Sequence, residues 1–257
     1  MTAFALSRRA TLAGFLGLAF APAALAQTPA LTLTTDFRLK FSDADQAALD
    51  AWIERLRAKV GVWWPILTTR LASPDYTPTS AIQLRFITIR PEGIPAATVR
   101  APGQDPAILI DPGGLLGRIL NPDTLGMIGH EMVHVVQNYP RGQPGWLVEG
   151  IADYMRYYVL IPEDPARAFS PDGAEWSHGY QPTAGLLDFV ETAHPGAVHD
   201  INAAMRAGGD GPALLEKIGG APPEQLWRRY LASRPAAMNA DAERRWRRQI
   251  QRNAPNR

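Results

Sequence analysis

The feature that most constrains this chain is a pair of histidines, His130 and His134, with Glu131 directly after the first. Residues 121–138 are predicted to form a helix that ends before Pro140. On a helix with 3.6 residues per turn, the two imidazoles project from nearly the same face, one turn apart. Two ring nitrogens at this spacing can hold one zinc ion, while Glu131, rotated by about 100°, can reach a water on the open side of the ion.

Such a pattern also arises by chance, and its alternative is an amphipathic helix whose histidines are ordinary core or surface residues. A second segment favours the metal. Glu149 and Asp153 are four residues apart on a predicted helix over 146–159, among apolar neighbours. Two carboxylates stacked in that setting repel each other and are costly to bury without a cation.

Glu149 is therefore the predicted third zinc ligand, which completes the two-histidine, one-glutamate set of catalytic zinc sites. Asp153 is predicted to accept the free ring N–H of His130. The alternative for Asp153 is an ion pair with Arg156 on a solvated helix face. The chain has no cysteine, so disulfides and thiolate ligands are excluded and any metal site must use His, Asp or Glu.

The N-terminus has the features of an export signal. Arg8 and Arg9 precede an apolar run over 12–24, and Ala-Leu-Ala at 24–26 fits a cleavage site, so the predicted mature chain begins at Gln27. The Arg pair resembles a twin-arginine signal, with ordinary secretion as the alternative. The run is short for a transmembrane helix, so we expect a periplasmic or secreted protein without an integral membrane span; a membrane anchor is the remaining reading.

The order of the predicted elements indicates an α+β fold in which a small N-terminal mixed sheet precedes a mostly helical C-terminal half. Strands are predicted within 31–41, 82–89, 97–100 and 107–110, and helices over 43–60, 121–138, 146–159, 182–193, 199–207, 212–218 and 223–232. Pro65, Pro74 and Pro78 predict a loop. We expect one domain over 27–235 and an Arg-rich tail over 236–257, interpreted as a solvated helix or, alternatively, as a contact for anionic lipid.

Three motifs together resemble the basic secretory protein family of plants and bacteria: HEMVHVVQ at 130–137, EGIADY at 149–154 and GYQPTA at 179–184. DIN at 200–202 and LWRRY at 226–230 are also similar, and the resemblance covers roughly residues 32–232. It implies a zincin-like metallopeptidase fold with His130, His134 and Glu149 as zinc ligands and Glu131 as general base. The near-neutral composition, with a net charge of +1, departs from the family name and demands no nucleic-acid partner.

The predicted function is hydrolysis of peptide or protein substrates by a zinc-activated water. Tyr180 and His178 are candidates for the donor that stabilises the oxyanion, although both also fit ordinary packing. In a zincin-like layout, strand 107–110 would be the edge strand that pairs with an extended substrate. The alternatives are a secreted binding or defence-type protein that cleaves nothing, and a zinc hydrolase of cell-wall cross-links.

Overall fold

The computed structural model describes residues 30–164, 167 and 169–234. Within these residues a small sheet on the N-terminal side is followed by a mostly helical remainder, which confirms the predicted α+β class. The predicted export signal over 1–26 and the Arg-rich tail over 236–257 lie outside the described residues. The domain limits at 27 and 235 therefore stay predictions.

The sheet has four strands, which are β1 Thr32–Phe37, β2 Ala81–Phe86, β3 Ala96–Val99 and β4 Ala107–Ile110. Their order across the sheet is β1-β2-β4-β3. β1, β2 and β4 are parallel, and β3 is antiparallel to β4 at one edge. The expectation that strand 107–110 forms the edge was wrong, because β4 pairs with β2 on one side and β3 on the other. The apolar β4, with Ile108 and Ile110 fully buried, suits this internal place.

Helix α1, Asp43–Arg70, makes the crossover between β1 and β2. It begins at Ser42, whose hydroxyl accepts the Asp45 amide N–H at 3.2 Å. The helix is longer than predicted, and it continues through Pro65. Proline inside a helix costs about 3 kcal/mol. The apolar stripe nevertheless continues past Val60 to two buried tryptophans and Leu67, and each such side chain contributes about 1.5–3 kcal/mol on burial. Burial therefore outweighs the cost of the proline.

The remaining helices agree with the predicted pattern, with small shifts at their ends. A short helix, α2 at Pro112–Leu116, follows β4, and the Asp111 side chain accepts the amide N–H groups of its first turn. A π-helical segment, Met155–Leu160, directly follows helix α4, Gly145–Tyr154. None of the helices in the described part of the chain is long and apolar enough to cross a membrane. The helices are α2 Pro112–Leu116, α3 Asp123–Gln137, α4 Gly145–Tyr154, α5 Tyr180–Ala193, α6 Ala197–Arg206, α7 Gly211–Gly219 and α8 Pro223–Ser233.

Trp52 of α1 joins the sheet to α3. Its ring meets Phe86 of β2 edge-on, with centroids 6.4 Å apart. Its indole N–H donates to the Thr124 hydroxyl at 3.0 Å, near the start of α3. This buried contact fixes α3, the helix that carries His130, relative to the sheet.

Candidate metal centre

Helix α3 presents the first two candidate ligands. Its start is stabilised by the Asn121 side chain, which accepts the Asp123 amide N–H at 3.0 Å. Its end is set by Asn138 in the left-handed conformation, with φ +42°. Between these points the helix is almost wholly buried. His130 and His134 project from one side of it, as the four-residue spacing predicts.

Helix α4 follows after a short turn and brings Glu149 and Asp153 to the same region. It packs closely on α5 at Gly150, where an added Cβ would lie 2.2 Å from the Thr183 methyl group. Thr183 is itself fully buried, and its hydroxyl donates to Trp176 O at 2.6 Å. Gly150 therefore permits the close helix contact that holds the Glu149 face toward α3.

Three donor groups from these two helices converge on one point. His130 Nε2 lies 3.0 Å from His134 Nε2 and 3.1 Å from Glu149 Oε2. His134 Nε2 lies 3.5 Å from the same Glu149 oxygen. All three ligand atoms fall within 4.8 Å of one another, as in a group that could hold a metal ion. The side chains predicted as ligands thus meet; their role as ligands remains a prediction.

Asp153 lies against His130, as expected for the partner of its second ring nitrogen. The Asp153 Oδ1 to His130 Nδ1 distance is 2.7 Å, and both side chains are buried. The alternative pairing with Arg156 is absent among the described residues, because Arg156 reaches Asp123 of α3 instead. The carboxylate accepts, so His130 Nδ1 carries the hydrogen and Nε2 faces Glu149.

Gln137 accepts a hydrogen bond from the outer ring nitrogen of His134, as Asp153 does from His130. This role was not predicted from the sequence. The Gln137 side-chain N–H donates to Val148 O at 2.8 Å, which fixes the orientation of the amide. Its Oε1 then accepts the His134 Nδ1–H at 2.7 Å. The available signal was position: Gln137 is one turn beyond His134 on the same helix, and a buried polar side chain in an apolar run needs partners.

These contacts show that the residues fit a cation. With both Nδ1 atoms donating outward, both Nε2 atoms present lone pairs to each other and to the Glu149 carboxylate. Such an arrangement of acceptors is unfavourable unless a proton or a metal ion lies among them. Two imidazole nitrogens and one carboxylate oxygen form the donor set that zinc takes in catalytic sites.

The pKa values of two of these groups reflect the same electrostatics. Burial would lower the pKa of His130, but hydrogen bonds to Asp153 and Glu149, with their negative charges, raise it to about 9. Burial would raise the pKa of Glu149, but hydrogen bonds from His130 and His134 lower it to about 2. The carboxylates that favour a proton on His130 also favour a metal cation, so the two compete for this position.

Glu131 is outside the donor group, as its rotation around the helix predicts. Its side chain is buried, and its Oε2 accepts a hydrogen bond from the Thr98 hydroxyl of β3 at 2.8 Å. The same hydroxyl is 2.9 Å from the Glu131 backbone oxygen. Sequence reasoning missed Thr98, because the contact joins residues 33 apart in the chain and carries no local pattern.

Of the two candidate oxyanion donors, the structure brings Tyr180 to the site. Its ring stacks on His130, with centroids 6.1 Å apart and an interplanar angle of 15°. Burial and the nearby Glu149 carboxylate raise the pKa of Tyr180, so its hydroxyl stays a donor. Gly179 precedes it with φ +75° and ψ −166°, a conformation open essentially to glycine alone. His178 is half-exposed, its Nδ1 accepts the Glu175 amide N–H at 3.3 Å, and it does not line the cleft.

A cleft of about 830 Å³ contains the candidate metal group. One wall is α3, with His130, Glu131 and His134, and α4 adds Glu149. The segment 93–98, which includes most of the edge strand β3, also lines the cleft. The edge strand beside the site is thus β3, where β4 had been expected.

Comparison with models of protein families gives a match over more than half of the chain. A family model described as a peptidase of plants and bacteria matches residues 60–230 of the 257. The matched range includes α3, α4 and β3, and it begins within α1, after β1. Neither the curated proteins nor the solved structures gave a significant match.

Proposed function

We propose a zinc-dependent peptidase activity for this chain, which belongs to the basic secretory protein family of plant and bacterial peptidases. The observation that carries the proposal is the convergence of His130, His134 and Glu149 within 4.8 Å, with both outer ring nitrogens already engaged. We assign zinc because two imidazoles and one carboxylate are its usual catalytic donor set. A zincin-like fold is part of the same proposal, since it accounts for a metal helix beside an edge strand.

The three donors would hold the ion, and the groups around them would keep these donors in place. Asp153 and Gln137 hold the two imidazole rings with Nε2 facing inward. A zinc ion bound there supplies Lewis acidity, which lowers the pKa of a water molecule and polarises a substrate carbonyl. Cysteine is absent, so no thiolate competes for the ion.

Glu131 and Tyr180 do the remaining chemistry in this proposal. Glu131 takes a proton from the attacking water and passes it to the leaving amine. Tyr180 donates its phenolic hydrogen to the carbonyl oxygen as negative charge develops there. Both side chains line the cleft that contains the donor group. Strand β3, at the edge of the sheet, binds the extended substrate backbone.

Export is the last part of the proposal. A signal at residues 1–26 would deliver a mature domain, residues 27–235, to the periplasm or the medium. A twin-arginine route carries folded cargo, so zinc would be loaded before export.

The test combines metal analysis with digestion of a peptide library. Wild-type protein should contain one zinc per chain and cleave peptides, and a chelator should abolish the cleavage. Glu131→Gln should keep the zinc and lose cleavage, whereas His134→Ala should lose both. His199→Ala is the matched control, because His199 is exposed and pairs only with its neighbour Asp200 among the described residues.

Two results would contradict the peptidase proposal. Cleavage that is unaffected by removal of the metal would exclude the ion from the reaction. A wild-type protein that binds zinc but cleaves no peptide would favour a binding protein or, if it opened peptidoglycan cross-links, a cell-wall hydrolase.

A further inference from the structure

Thr98 connects the edge strand to the side chain proposed as the base. Its hydroxyl oxygen lies 2.8 Å from Glu131 Oε2 and 2.9 Å from Glu131 O. Thr98 also lines the cleft that contains the candidate metal group. It is therefore the point at which strand β3 and the Glu131 carboxylate meet.

The contact belongs to a regular alignment of β3 along α3. Thr98 and Arg100 lie on the same side of the strand, and the Arg100 guanidinium donates to Val135 O. Glu131 and Val135 are one helical turn apart. Two residues of strand advance about 6.6 Å and four residues of helix about 6 Å, so the two spacings match. The strand is thus docked along the helix, and Thr98 is held at the level of Glu131.

The hydrogen bond to the carboxylate goes beyond what docking requires. The Arg100 contact with Val135 O already attaches the strand to the helix. A hydroxyl has one hydrogen, and a charged carboxylate attracts it more strongly than a carbonyl that already accepts a helical N–H. A glutamate side chain that is held in one rotamer loses up to about 2 kcal/mol of conformational entropy. The Thr98 bond offsets part of that cost.

We propose that Thr98 is a positioning residue that holds the Glu131 carboxylate in the orientation for proton transfer and couples it to the strand that borders the cleft. The inference rests on the proposed function, because it assigns Glu131 as the base. Since Thr98 acts through Glu131 and not on the metal, its loss should affect the turnover rate and leave metal binding unchanged. Substrate bound along β3 would restrain Thr98 further, so loss of the Thr98 hydroxyl should lower kcat more than it changes KM.

The experiment compares Thr98→Val, which keeps the side-chain shape but removes the hydroxyl, with Thr98→Ser, which keeps the hydroxyl. For Thr98→Val we expect kcat to fall by about 10- to 100-fold, the range seen when an active-site group loses its positioning partner. KM should stay within about twofold and zinc content should be unchanged. Thr98→Ser should recover most of the loss.

Thr34→Val is the matched control, because Thr34 is an exposed residue of β1, at the other edge of the same sheet. It should leave kcat unchanged. Should Thr98→Val fail to fold by circular dichroism, Thr98→Ala replaces it in the same comparison. The positioning role is overturned if the hydroxyl-free variant turns over at the wild-type rate, if it loses zinc, or if Thr98→Ser is as slow as Thr98→Val. Absence of peptidase activity in the wild type would instead overturn the proposed function itself.

Discussion

The orientation of Gln137 determines which nitrogen of His134 faces the donor group. Because Val148 O accepts from the Gln137 amide, only the oxygen of that amide is left for His134 Nδ1. The hydrogen of the imidazole is therefore on Nδ1, and Nε2 offers its lone pair. Val148 directly precedes Glu149, so one side chain links two candidate ligands on different helices.

Replacing Gln137 with leucine should weaken metal binding without removing a ligand. His134 would lose the acceptor that sets its tautomer, and outer contacts of this kind are worth about 10- to 100-fold in metal affinity. The measurement is a titration of the apoprotein with zinc in competition with a chromophoric chelator. Gln225→Leu, at an exposed position of α8, is the control and should bind as the wild type does. An unchanged affinity for Gln137→Leu would show that His134 keeps its orientation without this contact.

The predictable part of the site is the part that depends on local spacing. His130 and His134 share a helix, as do Glu149 and Asp153, so the face of each pair followed from its four-residue period. Thr98 could not be found in this way, because its contact depends on how β3 docks on α3. Gln137 lies one turn beyond His134 on the same helix, so local spacing also predicts its contact with His134.

At the scale of elements, α4 packs tightly on α5 beside the site. Gly150 makes it possible, since no side chain separates the α4 backbone from Thr183. The glycine follows Glu149 directly, so any displacement of α4 moves a candidate ligand. Interiors are packed too densely to absorb an extra methyl group at 2.2 Å without a shift of the backbone.

Gly150→Ala should therefore lower the free energy of unfolding by about 3 kcal/mol, the upper end of the range for overpacked cores. Zinc affinity should fall with it, because α4 must move away from α5. Gly145→Ala on the same helix is the control: its added Cβ meets nothing within 4 Å, and alanine favours the helix. Denaturant unfolding followed by tryptophan fluorescence gives the free energy of unfolding of both variants. Equal stability of the two variants would show that the α4–α5 contact yields easily.

Helix α1 shows where rules based on local sequence fail to predict the end of a helix. Pro65 is a strong stop signal, and the prediction ended the helix before it. The structure continues to Arg70 because Trp63, Trp64 and Leu67 are buried on the inner face. Their burial depends on the sheet and on α3, which no window of sequence around Pro65 contains. The strand order also depends on contacts between distant segments. The apolar composition of β4 indicates a buried strand, but it does not indicate which strands lie beside it.

At the scale of the whole molecule, Arg206 ties the end of α6 to the ends of α1 and α3. Its guanidinium donates to Leu71 O at 2.8 Å, and to Val136 O and Gln137 O at 2.9 Å and 3.2 Å. Cations are favoured at helix C-termini, where carbonyl groups lack helical partners. The guanidinium also lies 4.1 Å above the ring of Tyr76. One residue thus satisfies carbonyl groups of two helices that are distant in sequence.

Arg206→Met should lower the free energy of unfolding by about 3 kcal/mol. The variant keeps a long apolar side chain but removes the donor to Val136 O and Gln137 O, and each charged hydrogen bond is worth about 1.5–3 kcal/mol. The midpoint of denaturant unfolding reports the change, with the metal-free protein used for both samples. Arg229→Met, on the exposed side of α8, is the control and should stay within about 0.5 kcal/mol of the wild type. A loss of equal size in both variants would argue against a special role for Arg206.

The lining of the cleft comes from separate stretches of the chain. All candidate metal donors, with Asp153, fall within residues 130–153, whereas the strand that lines the cleft beside them is Ala96–Val99. Insertions or substitutions in the connection that leads into β3 would reshape the cleft without replacing any candidate donor. Under the proposed function, relatives of this protein can diversify in the peptides they select while keeping the same donor set, provided that Thr98 and its contact with Glu131 are retained.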